Sequence, residues 1–199
     1  TGVGYNAGAA ITTGVQNTLI GGVAGDALTD ADYNTAVGYL ALSSDTLGST
    51  SVAIGAYSLE AQNFTSATNA YNVAIGYNTG ADVTTGTNNT LIGGLAGDAI
   101  TTGSANTAVG TAALTANTTA NDNVAVGVSA LETNTTGASN VAINNNALLR
   151  NTTGSSNIAI GKESLSYNTT ASNNTAVGHQ SLFANTTGTG NTAVGKGAL

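Results

Sequence analysis

Carboxylates supply the first candidates for chemistry in this sequence. Asp26, Glu60, Asp98 and Glu132 each stand five residues after a recurring glycine, on every second copy of a 17-residue unit. If each unit is one turn of a stacked coil, neighbours in this set lie about 9–10 Å apart, close to the upper limit for the carboxylate pair of an inverting glycosidase. A solvated outer column fits the spacing better, because skipping a turn relieves the stacking of like charges. The chain holds only three Lys and Arg residues and one histidine, His179, which has no Ser or Asp partner in a recognisable constellation. With so few acids and almost no bases, no enzymatic activity and no cofactor are expected.

Other residue patterns raise other chemistries, each set against a structural reading. Gly21 to Thr29 and Gly93 to Thr101 nearly match the calcium-binding nonapeptide, but the two copies are far apart and that motif works only when stacked in succession. Asp30 and Asp32 read as a polar turn. Thr12, Thr29, Thr46, Thr84, Thr101, Thr118, Thr135, Thr152, Thr169 and Thr186 fall in one column, which suggests an ordered-water, ice-binding surface or, more commonly, turn-side hydrogen bonding. Exposed aromatics stack on sugar rings. Among Tyr5, Tyr39, Tyr77, Phe64, Tyr71, Tyr167 and Phe183, the best candidates for such contact are Phe64 and Tyr71, which flank an insertion in the repeat.

Composition narrows the partners. The 199 residues contain no Pro, Cys, Met or Trp, only 7% are charged, and the net charge is −7. Ordinary globular domains carry roughly 25% charged residues. Without cysteine there is no disulfide framework and no thiolate metal site. Three cations do not neutralise a run of phosphates, so nucleic acid is not an expected partner. No apolar run approaches the roughly 18 residues of a membrane helix, and no membrane insertion is expected.

The elements that position these residues are set by the repeat. Its glycines are Gly4, Gly21, Gly38, Gly55, Gly76, Gly93, Gly110, Gly127, Gly161, Gly178 and Gly195, with Asn144 in one place, and the spacing is 17 residues except for one interval of 21. The averaged unit reads N-T-A-V-G-x-x-A-L-x-x-N-T-T-G-x-x. A four-unit duplication is superimposed, since Gly4 to Thr46 resemble Gly76 to Thr118. A 17-residue unit is too short for a helix pair, and its Gly, Thr, Val and Ile content opposes helix. We expect an all-β parallel solenoid of about twelve rungs, each with two short strands and two tight turns. It should form one continuous segment over 1–199, cut from a longer array at both ends, with a four-residue insertion within 63–71 that bulges outward.

Within a rung, the motif glycine should supply a positive φ, and Asn144 is the residue that best replaces it. The Asn34, Asn72 and Asn106 column should stack its amides along the rod. Alternation places Ala36, Ala53 and Ala74 on one strand face and Val37, Ile54 and Ile75 on the other. A compensation locates the rest of the core. Four residues after the motif glycine stands either Gly or Leu; three residues further on, an aliphatic follows Gly and a polar residue follows Leu. Gly25 goes with Leu28 and Gly97 with Ile100, whereas Leu42 goes with Asp45, Leu59 with Gln62 and Leu114 with Asn117. So thin a rung buries few apolar side chains. The small alanine face is therefore expected at a contact between chains, most simply in a homotrimer.

Ser51-Val52-Ala53-Ile54-Gly55 and Asn72-Val73-Ala74-Ile75-Gly76 resemble the head repeats of trimeric autotransporter adhesins, and the fuller unit at Asn174 to Gly188 resembles arrays of phage tail-fibre proteins. The resemblance implies a trimeric β-roll in a virion tail fibre or on an extracellular surface, acting as a structural shaft and contacting host-surface polysaccharide. The head of a bacterial adhesin is the alternative, and a single-chain ice-binding solenoid a further one.

Overall fold

Each copy of the N-T-A-V-G motif folds as a three-residue strand that stops at its glycine, except the first, where the strand is Gly2–Val3. In the computed structural model, which describes residues 1–199, twelve such strands form one parallel sheet in sequence order. Typical members are Thr35–Val37, Val52–Ile54, Val73–Ile75 and Thr107–Val109. Register is strict: Ala36 pairs with Ala53, Ala53 with Ala74 and Ala108 with Ala125, so each residue type stacks on its counterpart one rung away. At about 4.8 Å per strand the stack is about 53 Å long. The chain contains no helix long and apolar enough to cross a membrane.

The motif glycines do two jobs. Their φ angles run from 125° at Gly195 to 142° at Gly38, beyond the left-handed well that other residues tolerate. They also sit against the next rung, where a Cβ on Gly110 would lie 2.6 Å from the Gly127 carbonyl oxygen. Asn144 occupies its place at φ 100°.

The expected second strand is absent from nearly every rung. Only Gly48–Ser49 pairs with Thr68–Asn69 in a two-stranded sheet beside the insertion. Elsewhere the chain is a train of turns. Residues two and four places after the motif glycine, and the residue before the motif asparagine, are left-handed: Leu40 at 56°, Leu42 at 54° and Tyr33 at 60° in one rung. These conformations break extended geometry. The turns nevertheless bond from rung to rung, for example Leu42 N to Ser58 O at 3.0 Å and Leu114 N to Ala130 O at 3.0 Å. Of the 124 backbone hydrogen bonds, 102 lie outside the regular strands; some close a single turn, such as Ile100 N to Gly97 O, and others join one rung to the next, so the turns as well as the sheet tie the stack together.

The core overturns one expectation about the faces. Ala36, Ala53 and Ala74 are wholly buried within the single chain, together with Leu42, Leu59, Leu114 and their equivalents. The alanine column is small because the leucine column of the opposite wall fills the interior. It is not a surface between chains. The β-branched rows face outward instead: Val37 and Ile75 are half-buried, Ile54 is 36% exposed and Ile20 41%. One chain closes its own core, and its surface of 7738 Å² falls below the about 8,400 Å² typical of a monomer of this mass.

The Gly/Leu compensation is visible atom by atom, and it involves a third residue. A Cβ on Gly25 would lie 2.8 Å from both Leu28 Cδ1 and Leu19 Cδ2, and one on Gly97 would lie 2.8 Å from Ile100 Cδ1 and 2.9 Å from Leu91 Cδ2. Where the leucine is lost, the following aliphatic and a leucine at mid-strand occupy its space. The position keeps its left-handed φ in both cases, 56° at Gly97 and 57° at Leu114.

The insertion turns outward at Thr65, Ser66 and Ala67, which are exposed, while Phe64 folds back beneath it and is buried. Gly48 makes room for that ring, since a Cβ there would lie 2.7 Å from Phe64 Cδ2.

Candidate functional site

Two buried polar columns run along the interior. In the expected one, Asn34, Asn72 and Asn106 are buried, but their amides serve mainly the backbone. Asn34 N donates to Asn17 Oδ1 at 2.9 Å, and Asn34 Nδ2 donates to Gly48 O at 2.9 Å. Asn72 Nδ2 donates to Gly86 O at 2.7 Å, and Asn106 Nδ2 to Ala120 O at 2.9 Å. Direct amide-to-amide bonds, such as Asn106 Nδ2 to Asn89 Oδ1 at 3.2 Å, are secondary. The second column is a truer amide ladder. Asn134, Asn151 and Asn168 each donate to the asparagine one rung before, at 3.1, 2.8 and 2.9 Å. These are the polar partners of the leucine rungs, and their 17-residue spacing was the signal for them.

Beside the insertion the two columns merge. Ser51 replaces the motif asparagine, and the longer Gln62 bridges the gap: Nε2 donates to Asp45 Oδ2 at 2.6 Å and Ser51 Oγ at 3.0 Å, while Oε1 accepts from Asn72 Nδ2 at 2.9 Å. Asp45 is fully buried and also accepts from the backbone N–H groups of Gly48 and Phe64, both at 3.0 Å. A buried carboxylate with three donors and no route to solvent is a structural anchor for the inserted turn.

The surface candidates separate cleanly. Phe64, expected as an exposed sugar platform with Tyr71, is only 6% exposed and presents no face to solvent; Tyr71 is 55% exposed. Tyr39, Tyr57 and Tyr77 form an edge-to-face ladder over three successive rungs, with centroids 5.6 and 5.9 Å apart. The threonine column spends its hydroxyls on the fold, as Thr29 Oγ1 donates to Thr46 O at 3.1 Å and Thr152 Oγ1 to Thr169 O at 3.0 Å. Asp30 accepts from Thr13 Oγ1, and Asp32 Oδ1 accepts from Val15 N at 2.7 Å, so both are turn residues.

Asp26, Glu60, Asp98 and Glu132 are half-buried on the turn wall. Asp98 stands out: burial pushes its carboxyl above the usual carboxylate range, the N–H groups of Asp98 and Ala99 pull it part of the way back, and Asp82 adds to the rise. One oxygen of Asp98, like one of Asp26, has no hydrogen-bond partner. His179 is exposed, one residue after its motif glycine, in the same column as Lys162 and Lys196.

One groove has mixed chemistry. It is lined by Asn146, Leu149, Arg150, Glu163, Tyr167 and Phe183. The Arg150 guanidinium carbon lies 4.3 Å above the Tyr167 ring, and Tyr167 meets Phe183 at 4.9 Å and 72°. Gln180 Nε2 donates to Glu163 Oε2 at 2.8 Å, and Lys162 Nζ stands 3.8 Å from Glu163 Oε1. Arg150 and Tyr167 are one rung apart, a spacing present in the sequence but not singled out there. Comparison with protein-family models, with curated proteins and with solved structures finds no match, which leaves the geometry to carry the functional reading.

Proposed function

We propose that this chain is a structural shaft segment of a trimeric surface appendage, a viral tail fibre or a similar extracellular fibre, whose work is to hold other parts at a distance. The observation that carries the reading is the outward face of the twelve-stranded sheet. Two rows of Thr, Val and Ile run its full length, and nothing in the chain covers them. A strip three residues wide and about 53 Å long offers about 500 Å² per chain, which in a trimer sums to about 1,500 Å² over the three contacts, the scale of a specific interface. Val37, Ile54 and Ile75 belong to that strip. A second and third copy fit it best, since identical in-register rows on a rigid rod match one another along their length.

The same stacking explains rigidity and solubility. Strands pair only up and down the rod, so its sides offer no free sheet edge. The exterior of Asn, Thr and Ser with a net charge of −7 stays hydrated. The exposed tyrosines support the second reading, the head of a bacterial adhesin whose side wall meets surface glycans. Light scattering on the native chain tests the proposal: a mass near three times 19.2 kDa is expected. A monomer at micromolar concentration would refute it.

A further inference from the structure

We infer that the groove at Arg150, Tyr167 and Phe183 binds an acidic oligosaccharide, with Arg150 holding a sugar carboxylate and the aromatic surface beside it meeting the apolar face of a pyranose.

Charge distribution is the first support. Nine of the ten acids lie between Asp26 and Glu132, whereas all three Lys and Arg residues lie from Arg150 onward. The last third of the rod is thus positive on a strongly negative chain. Acids outnumber Lys and Arg ten to three, yet the arginine is left without a carboxylate partner: the single ion pair is Lys162 with Glu163. The guanidinium carbon rests over the Tyr167 ring, 4.3 Å from its centroid, which restrains the side chain and leaves its fork of N–H donors available to a planar anion.

Geometry is the second. Tyr167 and Phe183 meet edge to face on adjacent rungs and remain open to solvent, with Tyr167 exposed. The Gln180–Glu163 pair sets a polar rim: Gln180 holds one Glu163 oxygen, and Lys162 stands 3.8 Å from the other. From Asn146 and Arg150 to Phe183 the lining spans three rungs, about 10 Å, or roughly two sugar units. Nucleic acid does not suit the site, because a run of phosphates meets too few cations and a net charge of −7. An acidic sugar needs one fork and one apolar platform, and both are present.

The test is titration calorimetry of the whole chain with an oligogalacturonate, its fully methyl-esterified form and a sialylated oligosaccharide. At least one acidic probe is expected to bind, with the affinity falling as salt rises. Arg150→Gln and Tyr167→Ala should each weaken it tenfold or more, and Thr111→Ala, at an exposed side chain on a distant rung, should leave it unchanged. Both groove side chains are exposed, and thermal melts of each variant verify folding. If no acidic probe binds, if the esterified oligosaccharide binds as well as the acid, or if Arg150→Gln binds like the unaltered chain, the inference is overturned. It draws on the shaft reading only for its setting: a monomer that binds would sink the shaft and keep the groove, and a trimer that ignores all three probes would do the reverse.

Discussion

Replacing Leu114 by Gly and Asn117 by Ile should convert one rung from the leucine type to the glycine type, with the pair far less damaging than its parts suggest. Leu114→Gly alone removes a fully buried side chain. Loss of a buried leucine costs about 2–5 kcal/mol, and relief of the left-handed φ of 57° returns about 1–2 kcal/mol, for a net loss of about 0–4 kcal/mol. Asn117→Ile alone crowds Leu114, costing about 1–3 kcal/mol for overpacking, and removes two hydrogen bonds, Asn117 Nδ2 to Ala120 O and Asn134 Nδ2 to Asn117 Oδ1. Combined, isoleucine enters the space that leucine vacates, as Ile100 does beside Gly97, although Ala108 stands at mid-strand where that rung has Leu91, so the pocket refills in part. The ladder tolerates this position because Asn117 is its first amide after Ile100. Asn134 Nδ2 keeps Gly137 O at 2.8 Å, and Ala120 O keeps Asn106 Nδ2 at 2.9 Å. The double variant should therefore be more stable than the sum of the singles by at least about 1 kcal/mol, within the range of contacting pairs. Urea midpoints and amide exchange in the Ala113–Asn117 turn give the four corners of the cycle. Additivity within about 0.5 kcal/mol would refute the shared-pocket reasoning.

Three further outcomes follow from the same geometry. Gly110→Ala should destabilise by about 2 kcal/mol or more, since it meets both a φ of 133° and the next rung's carbonyl. Gly195→Ala, with nothing within 4 Å, should bear only the backbone cost; comparative melts decide this. Ala53→Leu should cost about 1–3 kcal/mol by overpacking the interior, whereas Ile54→Thr on the outer face should change the isolated chain by about 0.5 kcal/mol or less; equal effects would mean the faces are reversed. Asp98→Asn should raise the melting temperature at pH 7 and not at pH 3. A raised carboxyl pKa means the folded state holds its proton more tightly than the unfolded chain, so stability falls as pH rises from the ordinary carboxylate value through the raised one. No difference at pH 7 would remove the burial cost assigned to Asp98.

Much of this fold is legible in the residues. The 17-residue glycine spacing gives the rung, its strand and its parallel register, and the Gly/Leu alternation with Leu28, Ile100 or Asn117 gives the shared pocket. What residue types leave open is which face turns inward. Alternation groups Ala36 with Ala53 and Val37 with Ile54, but alanine suits a crowded interior as well as a close contact between chains. Only the leucine column on the opposite wall decides it. The second strand failed for a similar reason: Leu40, Leu42 and Tyr33 are not residues that announce a left-handed backbone, and rung-to-rung bonding imposes it on them. Phe64 looked like a surface aromatic because Gly48, which houses its ring, is 16 residues away. The Arg150 groove was readable in part, since Arg150 and Tyr167 are one unit apart, yet the contribution of Phe183 depends on how two turns lean together.

The central claim is that alanine fills the inside of each chain while the β-branched rows join chains to one another. Light scattering on the native protein, beside Ile54→Lys with Ile75→Lys and beside Tyr71→Ala, tests it most directly. The account requires a mass near three times 19.2 kDa for the unaltered chain and for Tyr71→Ala, and a folded monomer for the double lysine variant. A double lysine variant that stays trimeric, or an unaltered chain that is monomeric, would contradict it.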